Sequence, residues 1–180
     1  MSQATDNINF DQLAQTVLTA NGVIPSYAIG YAIDQNRLES NNYTSHVFLA
    51  ANNFNGYKYP PGGSSDPLTD SGIVSPEGDN YAAFATLEDC LQTQSNWWGR
   101  RSAAGFDLTT LTSITAWANA LAQFQWYTSS PTAYAARMTA VSALVSLQAS
   151  TGTNTQGVDL TTISLGTALV IGLGIYLIVK

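Results

Sequence analysis

Apolar side chains recur at helical spacing through most of this chain, and the places where that rhythm breaks set out its elements. Phe10, Leu13, Ala14, Val17 and Leu18 share one helical face behind an Asn9 cap with Gln12 as its reciprocal partner, and Asn21 and Gly22 end the pattern. A second helix is predicted from Pro25, a residue suited to a first turn, through Tyr27, Ala28, Tyr31, Ala32 and Leu38 to Glu39 and Ser40. Residues 44–51 read as a short third helix with Val47, Phe48 and Ala51 inward, followed by a turn at Asn52 and Asn53. Then the rhythm stops. Residues 57–80 are rich in Pro, Gly, Ser and Asp around the apolar pair Ile73 and Val74, which predicts a loop or hairpin lobe. Helical spacing resumes behind a Thr86–Asp89 capping box with Leu87, Cys90, Leu91, Trp97 and Trp98, and closes on Arg100 and Arg101, where cations suit a helix C-terminus. Leu111, Ile114, Trp117, Ala118 and Leu121 form the next helical stripe. A last one starts at Ser130 and Pro131 and carries Tyr134, Met138, Val141 and Val145.

The pattern predicts a mainly α fold in three parts: a helical domain with a small hairpin or loop lobe over residues 1–148, a flexible polar linker over 149–159, and an apolar helix over 160–180. Residues 161–179 read TTISLGTALVIGLGIYLIV, uncharged between Asp159 and Lys180. At about 1.5 Å per residue that length crosses a hydrocarbon core of about 30 Å, so a single-pass C-terminal anchor is expected, with a lipid bilayer as partner through residues 160–180.

Composition narrows the function classes. A hydrophobic fraction of 45% is enough for a real core. With 10% charged residues, a net charge of −6 and six scattered Lys and Arg, the chain lacks a nucleic-acid footprint. Cys90 is the single cysteine and His46 the single histidine; no metal or other cofactor is expected, and neither residue is read as catalytic.

The candidate chemistry is acidic. Glu39 falls at a helix C-terminus, where the partial negative charge of the helix end and burial against aromatic neighbours both favour its protonated form. Asp66, Asp70, Glu77 and Asp79 lie in the loop or hairpin lobe, where binding groups collect.

Three separate stretches resemble glycoside hydrolase family 73, the flagellar and autolysin-type N-acetylglucosaminidases of the lysozyme-like superfamily. Leu38-Glu39-Ser40 is similar to the family's Leu-Glu-Ser-Gly; Asn52-Asn53-Phe54-Asn55-Gly56-Tyr57-Lys58 is similar to Asn-Asn-Leu-Phe-Gly-Ile-Lys; and Trp126-Tyr127-Thr128-Ser129-Ser130-Pro131, with Tyr134, Ala135 and Arg137, is similar to Gly-Tyr-Ala-Thr-Asp-Pro followed by Tyr-Ala and a basic residue. They occur in the family's order from Pro25 to about Leu147. Three positions depart from it: Asn41 for Gly, Asn55 within the aromatic-glycine pair, and Ser130 for Asp.

The resemblance implies a lysozyme-like helical domain that cleaves peptidoglycan glycan strands, with Glu39 as catalytic acid. The second carboxylate would come from the hairpin lobe, with Glu77 preferred and Asp70 and Asp79 as competitors. Tyr127 and Tyr134 match cleft-lining positions, Trp126 is the tryptophan expected to reach the cleft, and Asn52 and Asn53 are candidates for binding acetamido groups. Glycosidic cleavage usually pairs a protonated with an ionised carboxyl group. If the second acid is distant, a lytic transglycosylase is the alternative, and a catalytically inactive structural or wall-binding membrane protein of a virion is the rival from another class. Residues 1–10 lack the basic start and apolar run of an export signal. Together with the expected anchor, this points to a bacteriophage virion with an internal membrane, the enzyme being used at entry and virion proteins being possible partners.

Overall fold

The structure, a computed structural model, describes residues 3–60 and 65–150. Among them the chain forms α1 (Gln3–Asn21), a 3-10 turn at Ser26–Ala28, α2 (Ile29–Glu39), α3 (His46–Ala51), the strands β1 (Leu68–Val74) and β2 (Asn80–Phe84), then α4 (Leu87–Ala103), a second 3-10 turn at Leu108–Thr110, α5 (Ile114–Gln123) and α6 (Pro131–Ser150). The caps read from the sequence at Thr86 and Ser130 are present. Thr86 and Asp89 form a reciprocal box, and Ser130 Oγ accepts from the Ala133 amide at 3.2 Å. Asn9 instead lies inside α1, since neither Gly nor Pro precedes it to stop the helix propagating backward. Gly22, at φ 64, takes the left-handed conformation that ends α1.

α4 contributes much of the buried core. Cys90, Leu91 and Trp98 are buried, and the Trp98 ring lies 4.7 Å from that of Trp117 on α5. The Trp117 indole donates to Gln35 Oε1 at 3.1 Å and ties α5 to α2. α6 packs on α2 and α5. A second aromatic cluster, Phe10, Tyr43, Phe48 and Phe54, joins α1, α3 and the turn after it, with ring centroids 5.0–6.5 Å apart.

The lobe over residues 57–80 does contain a hairpin. β1 and β2 pair antiparallel with Leu68 opposite Phe84 and Asp70 opposite Ala82, and after an irregularity at Gly72 the pairing resumes at Val74 opposite Asn80. Ser75 donates its amide to the Asp79 carbonyl at 2.7 Å, closing the turn that carries Glu77.

Two expectations are corrected. The class is mixed, helices with a small antiparallel sheet, rather than mainly α. No helix among the described residues is long and apolar enough to cross a membrane. The longest, α1 and α6, interleave apolar residues with Asp11, Gln12 and Gln15 in one and Arg137, Thr139 and Ser142 in the other, as befits helices packed on one face. The single-pass anchor, and the virion-membrane location drawn from it, are therefore set aside. Residues 160–180, on which both were read, lie outside the described residues, as does the linker 149–159 except for Ala149 and Ser150, which continue α6.

Candidate active site

Glu39 is the last residue of α2, and the chain leaves it through an unusual turn. Asn41, Asn42 and Tyr43 all have positive φ, at 51°, 55° and 62°. Asn tolerates this region better than other non-glycine residues, which accounts for Asn41 where the resembling family has Gly. Tyr43 tolerates it poorly, and the surroundings hold it in place. Ser40 Oγ donates to the Asn36 carbonyl at 2.6 Å and accepts the Tyr43 amide at 3.0 Å. Arg37, buried, binds Asp11 through Nε at 2.9 Å and Asn42 Oδ1 through Nη1 at 3.0 Å, while the Tyr43 hydroxyl donates to Asp11 at 2.6 Å. An ion pair between α2 and α1 thus locks the backbone on which Glu39 is presented.

Glu39 opens into a cleft of about 570 Å³ whose lining also includes Asn55, Lys58, Glu77, Asp79, Trp126 and Tyr127. Three rings form one wall, with Trp126 lying 5.2 Å from Tyr57 and 5.0 Å from Trp97 in edge-to-face contact. The Tyr134 hydroxyl donates to Glu39 Oε1. Tyr134 is buried, and Tyr127 stacks on it with centroids 3.9 Å apart and rings 2° from parallel. Tyr127 is fixed in turn by donating its hydroxyl to the Ala118 carbonyl at 2.6 Å.

Burial raises the proton affinity of Glu39 above that of an ordinary glutamate, against the opposing pull of the Tyr134 hydrogen bond, the Arg137 charge and a Trp126 hydrogen bond. Burial also raises the Tyr134 phenol, as does the neighbouring Glu39, so it remains a donor. Glu77 has the opposite character. It is exposed, and its hydrogen bond to Lys58, Nζ to Oε2 at 3.1 Å, leads the influences that hold it below the ordinary glutamate value. The cleft therefore holds one carboxyl that favours its proton and one that favours its charge.

The structure brings Glu39, Glu77, Trp126 and Tyr127 to this cleft and places Tyr134 behind Glu39. Asn52 and Asn53 are outside its lining. Asn52 is the left-handed C-cap of α3 and donates to the Phe84 carbonyl at 3.0 Å. Asn53 is buried, donates to the carbonyls of Tyr57 and Ala82, both at 2.9 Å, and accepts the Tyr57 amide at 2.9 Å. Both staple the chain to β2, as suits residues with turn chemistry. Of the competing acids, Asp79 lines the cleft, whereas Asp70 is engaged in the hairpin by the Gly72 amide at 2.8 Å and Asn80 at 2.6 Å.

Asn55 and Lys58 escaped the sequence reading. Asn55 is buried beside the cleft, and neither its amide nitrogen nor its oxygen has a partner among the described residues. The available signal was its intrusion into the aromatic-glycine pair. His46 is exposed at the start of α3, away from the lining residues. Among the described residues no cluster of acidic, His or Cys side chains could hold a metal ion.

No protein-family model matches the chain, and no curated protein matches it. Among solved structures, a chain from a type VI secretion system effector-immunity complex of Pseudomonas protegens is similar at a TM-score of 0.53 and 14% identity, over 81% of this chain and 95% of that one. At that identity the likeness concerns the fold.

Proposed function

We propose that this protein is a glycosidase resembling glycoside hydrolase family 73 and that it cleaves the glycan strands of peptidoglycan, with Glu39 as general acid. One observation carries the reading: a carboxyl group of raised proton affinity, held by Tyr134 on one oxygen, faces an open cleft walled by aromatic rings. The Glu39 carboxyl would donate its proton to the leaving glycosidic oxygen, while ring faces of the Trp126 type suit the apolar faces of pyranoses. Glu77, kept ionised by Lys58, is the candidate for stabilising the oxocarbenium-like transition state or activating water. The physical character of the three motif departures also supports the resemblance: Asn41 takes the conformation glycine favours, Ser130 caps α6 as Asp would, and Asn55 stays at the cleft. The structural neighbour comes from an effector-immunity complex, and a wall-cutting activity accords with such a setting.

A second reading is favoured by the exposure of Glu77 on a hairpin turn. A lytic transglycosylase needs only the acid, because the sugar's own hydroxyl captures the cation. Digestion of purified peptidoglycan with the full-length chain, followed by mass analysis, separates the two. Hydrolysis leaves reducing ends and transglycosylation leaves 1,6-anhydro ends; failure of the wild type to release any fragment rejects both.

A further inference from the structure

The cleft is acidic. Among the described residues that line it, Glu77 and Asp79, beside a Glu39 that favours its proton, face one cation, Lys58. Lys58 is also unusually well placed for a surface lysine. Its backbone forms an isolated bridge to Tyr81, flanked by bonds from the Tyr59 amide to the Asn80 carbonyl and from the Ala82 amide to the Tyr57 carbonyl, both at 2.8 Å. Its ammonium lies 3.9 Å from the centre of the Tyr81 ring and 3.1 Å from Glu77 Oε2. An ammonium has three donors, so one carboxylate and one ring face leave capacity for a further anion. An exposed pair of this kind is weak, which makes exchange of partners inexpensive.

Peptidoglycan differs from chitin by an acidic appendage on alternate sugars, either the free lactyl carboxylate or the carboxylates of an attached peptide. Such a strand would be disfavoured beside Glu77 and Asp79 and favoured at Lys58, the one cation among the described lining residues. We propose that Lys58 is the specificity-determining residue of this cleft, reading a carboxylate carried by alternate sugars of the strand and loosening its hold on Glu77 as it does so. The inference rests on the glycan-cleaving reading and adds to it a distinction between acidic and neutral strands.

The test uses the full-length chain carrying Glu39→Gln, so that bound glycan is not turned over. Three tetrasaccharides are titrated: N-acetylglucosamine alone, the lactyl-bearing form without peptide, and the peptide-bearing form. At least one acidic form is expected to bind about fivefold more tightly than the neutral one, the scale of one exposed ion pair, and the one that does identifies the source of the carboxylate. Lys58→Met should bring that ratio to about one, Lys58→Arg should retain it, and salt should diminish it. The carboxyl of Glu77, followed by carbon NMR, should titrate closer to an ordinary glutamate when the acidic glycan is bound. A ratio of one in the Glu39→Gln protein, a ratio indifferent to Lys58→Met, or an unchanged Glu77 titration overturns the proposal. Absence of binding by all three glycans would instead reject the glycosidase reading beneath it.

Discussion

Tyr134→Phe is the most informative single change, because it removes one hydroxyl and leaves the ring that stacks on Tyr127. That hydroxyl donates to Glu39 Oε1 from a buried position. A hydrogen bond contributes about 1.5–3 kcal/mol to an ionised acceptor and about 0.5–1.5 kcal/mol to a neutral one. Its loss therefore withdraws roughly 1–1.5 kcal/mol of preference for the carboxylate, or about one pH unit. In the wild type the bond opposes burial, which is the larger influence on Glu39. Removing it lets burial act further, so Glu39 holds its proton to higher pH. The expected result is that the alkaline limb of the pH–rate profile for glycan cleavage moves up by about one unit. The plateau rate should fall about tenfold, since the acid loses a positioning contact. The assay is release of soluble fragments from purified peptidoglycan between pH 4 and 9, with near-ultraviolet circular dichroism to show that the aromatic packing persists. An alkaline limb that stays in place, with the fold intact, would refute the assignment of Glu39 as the titrating acid.

Glu39→Gln should abolish cleavage while stabilising the fold at neutral pH. A carboxyl whose proton affinity is raised by burial contributes stability below its unfolded value and loses it as pH rises through the folded one, so the gain in melting temperature should be large at pH 8 and small at pH 4. Asp34 is buried beneath α6 contacts and raised from 3.8 to about 6, chiefly by burial, against a Ser142 hydrogen bond and the Arg37 charge. Wild-type stability should accordingly fall by roughly 3 kcal/mol as pH rises through that interval, and Asp34→Asn should flatten this part of the profile in denaturant titrations. Asn53→Ala leaves two carbonyls and one amide without their partner at the base of the hairpin, so it should cost roughly 3 kcal/mol of unfolding free energy, whereas Asn52→Gly, at a left-handed position, should cost under about 1 kcal/mol.

The amino-acid sequence by itself determined the local order of this protein. Helical spacing, the capping box at Thr86 and the Ser130–Pro131 start are interactions within a few residues, and their free energies depend little on the rest of the fold. It likewise placed Glu39 at a helix end and the acids of residues 57–80 in a loop or hairpin lobe. The class was less legible, since a pair of short strands with an irregular register leaves a faint alternation beside strong helical stripes. Only the tertiary structure decided which partners the candidate site residues meet. Asn52 and Asn53 carry the turn chemistry visible in the sequence, but whether an amide faces ligand or backbone depends on where β2 lies, about 30 residues on. The partnership of Tyr134 with Glu39 spans 95 positions, and that of Lys58 with Glu77 spans 19. Proton affinity follows the same rule: it is set by what surrounds a carboxyl in space, and only folding brings α6, the aromatic wall and the end of α2 to one point.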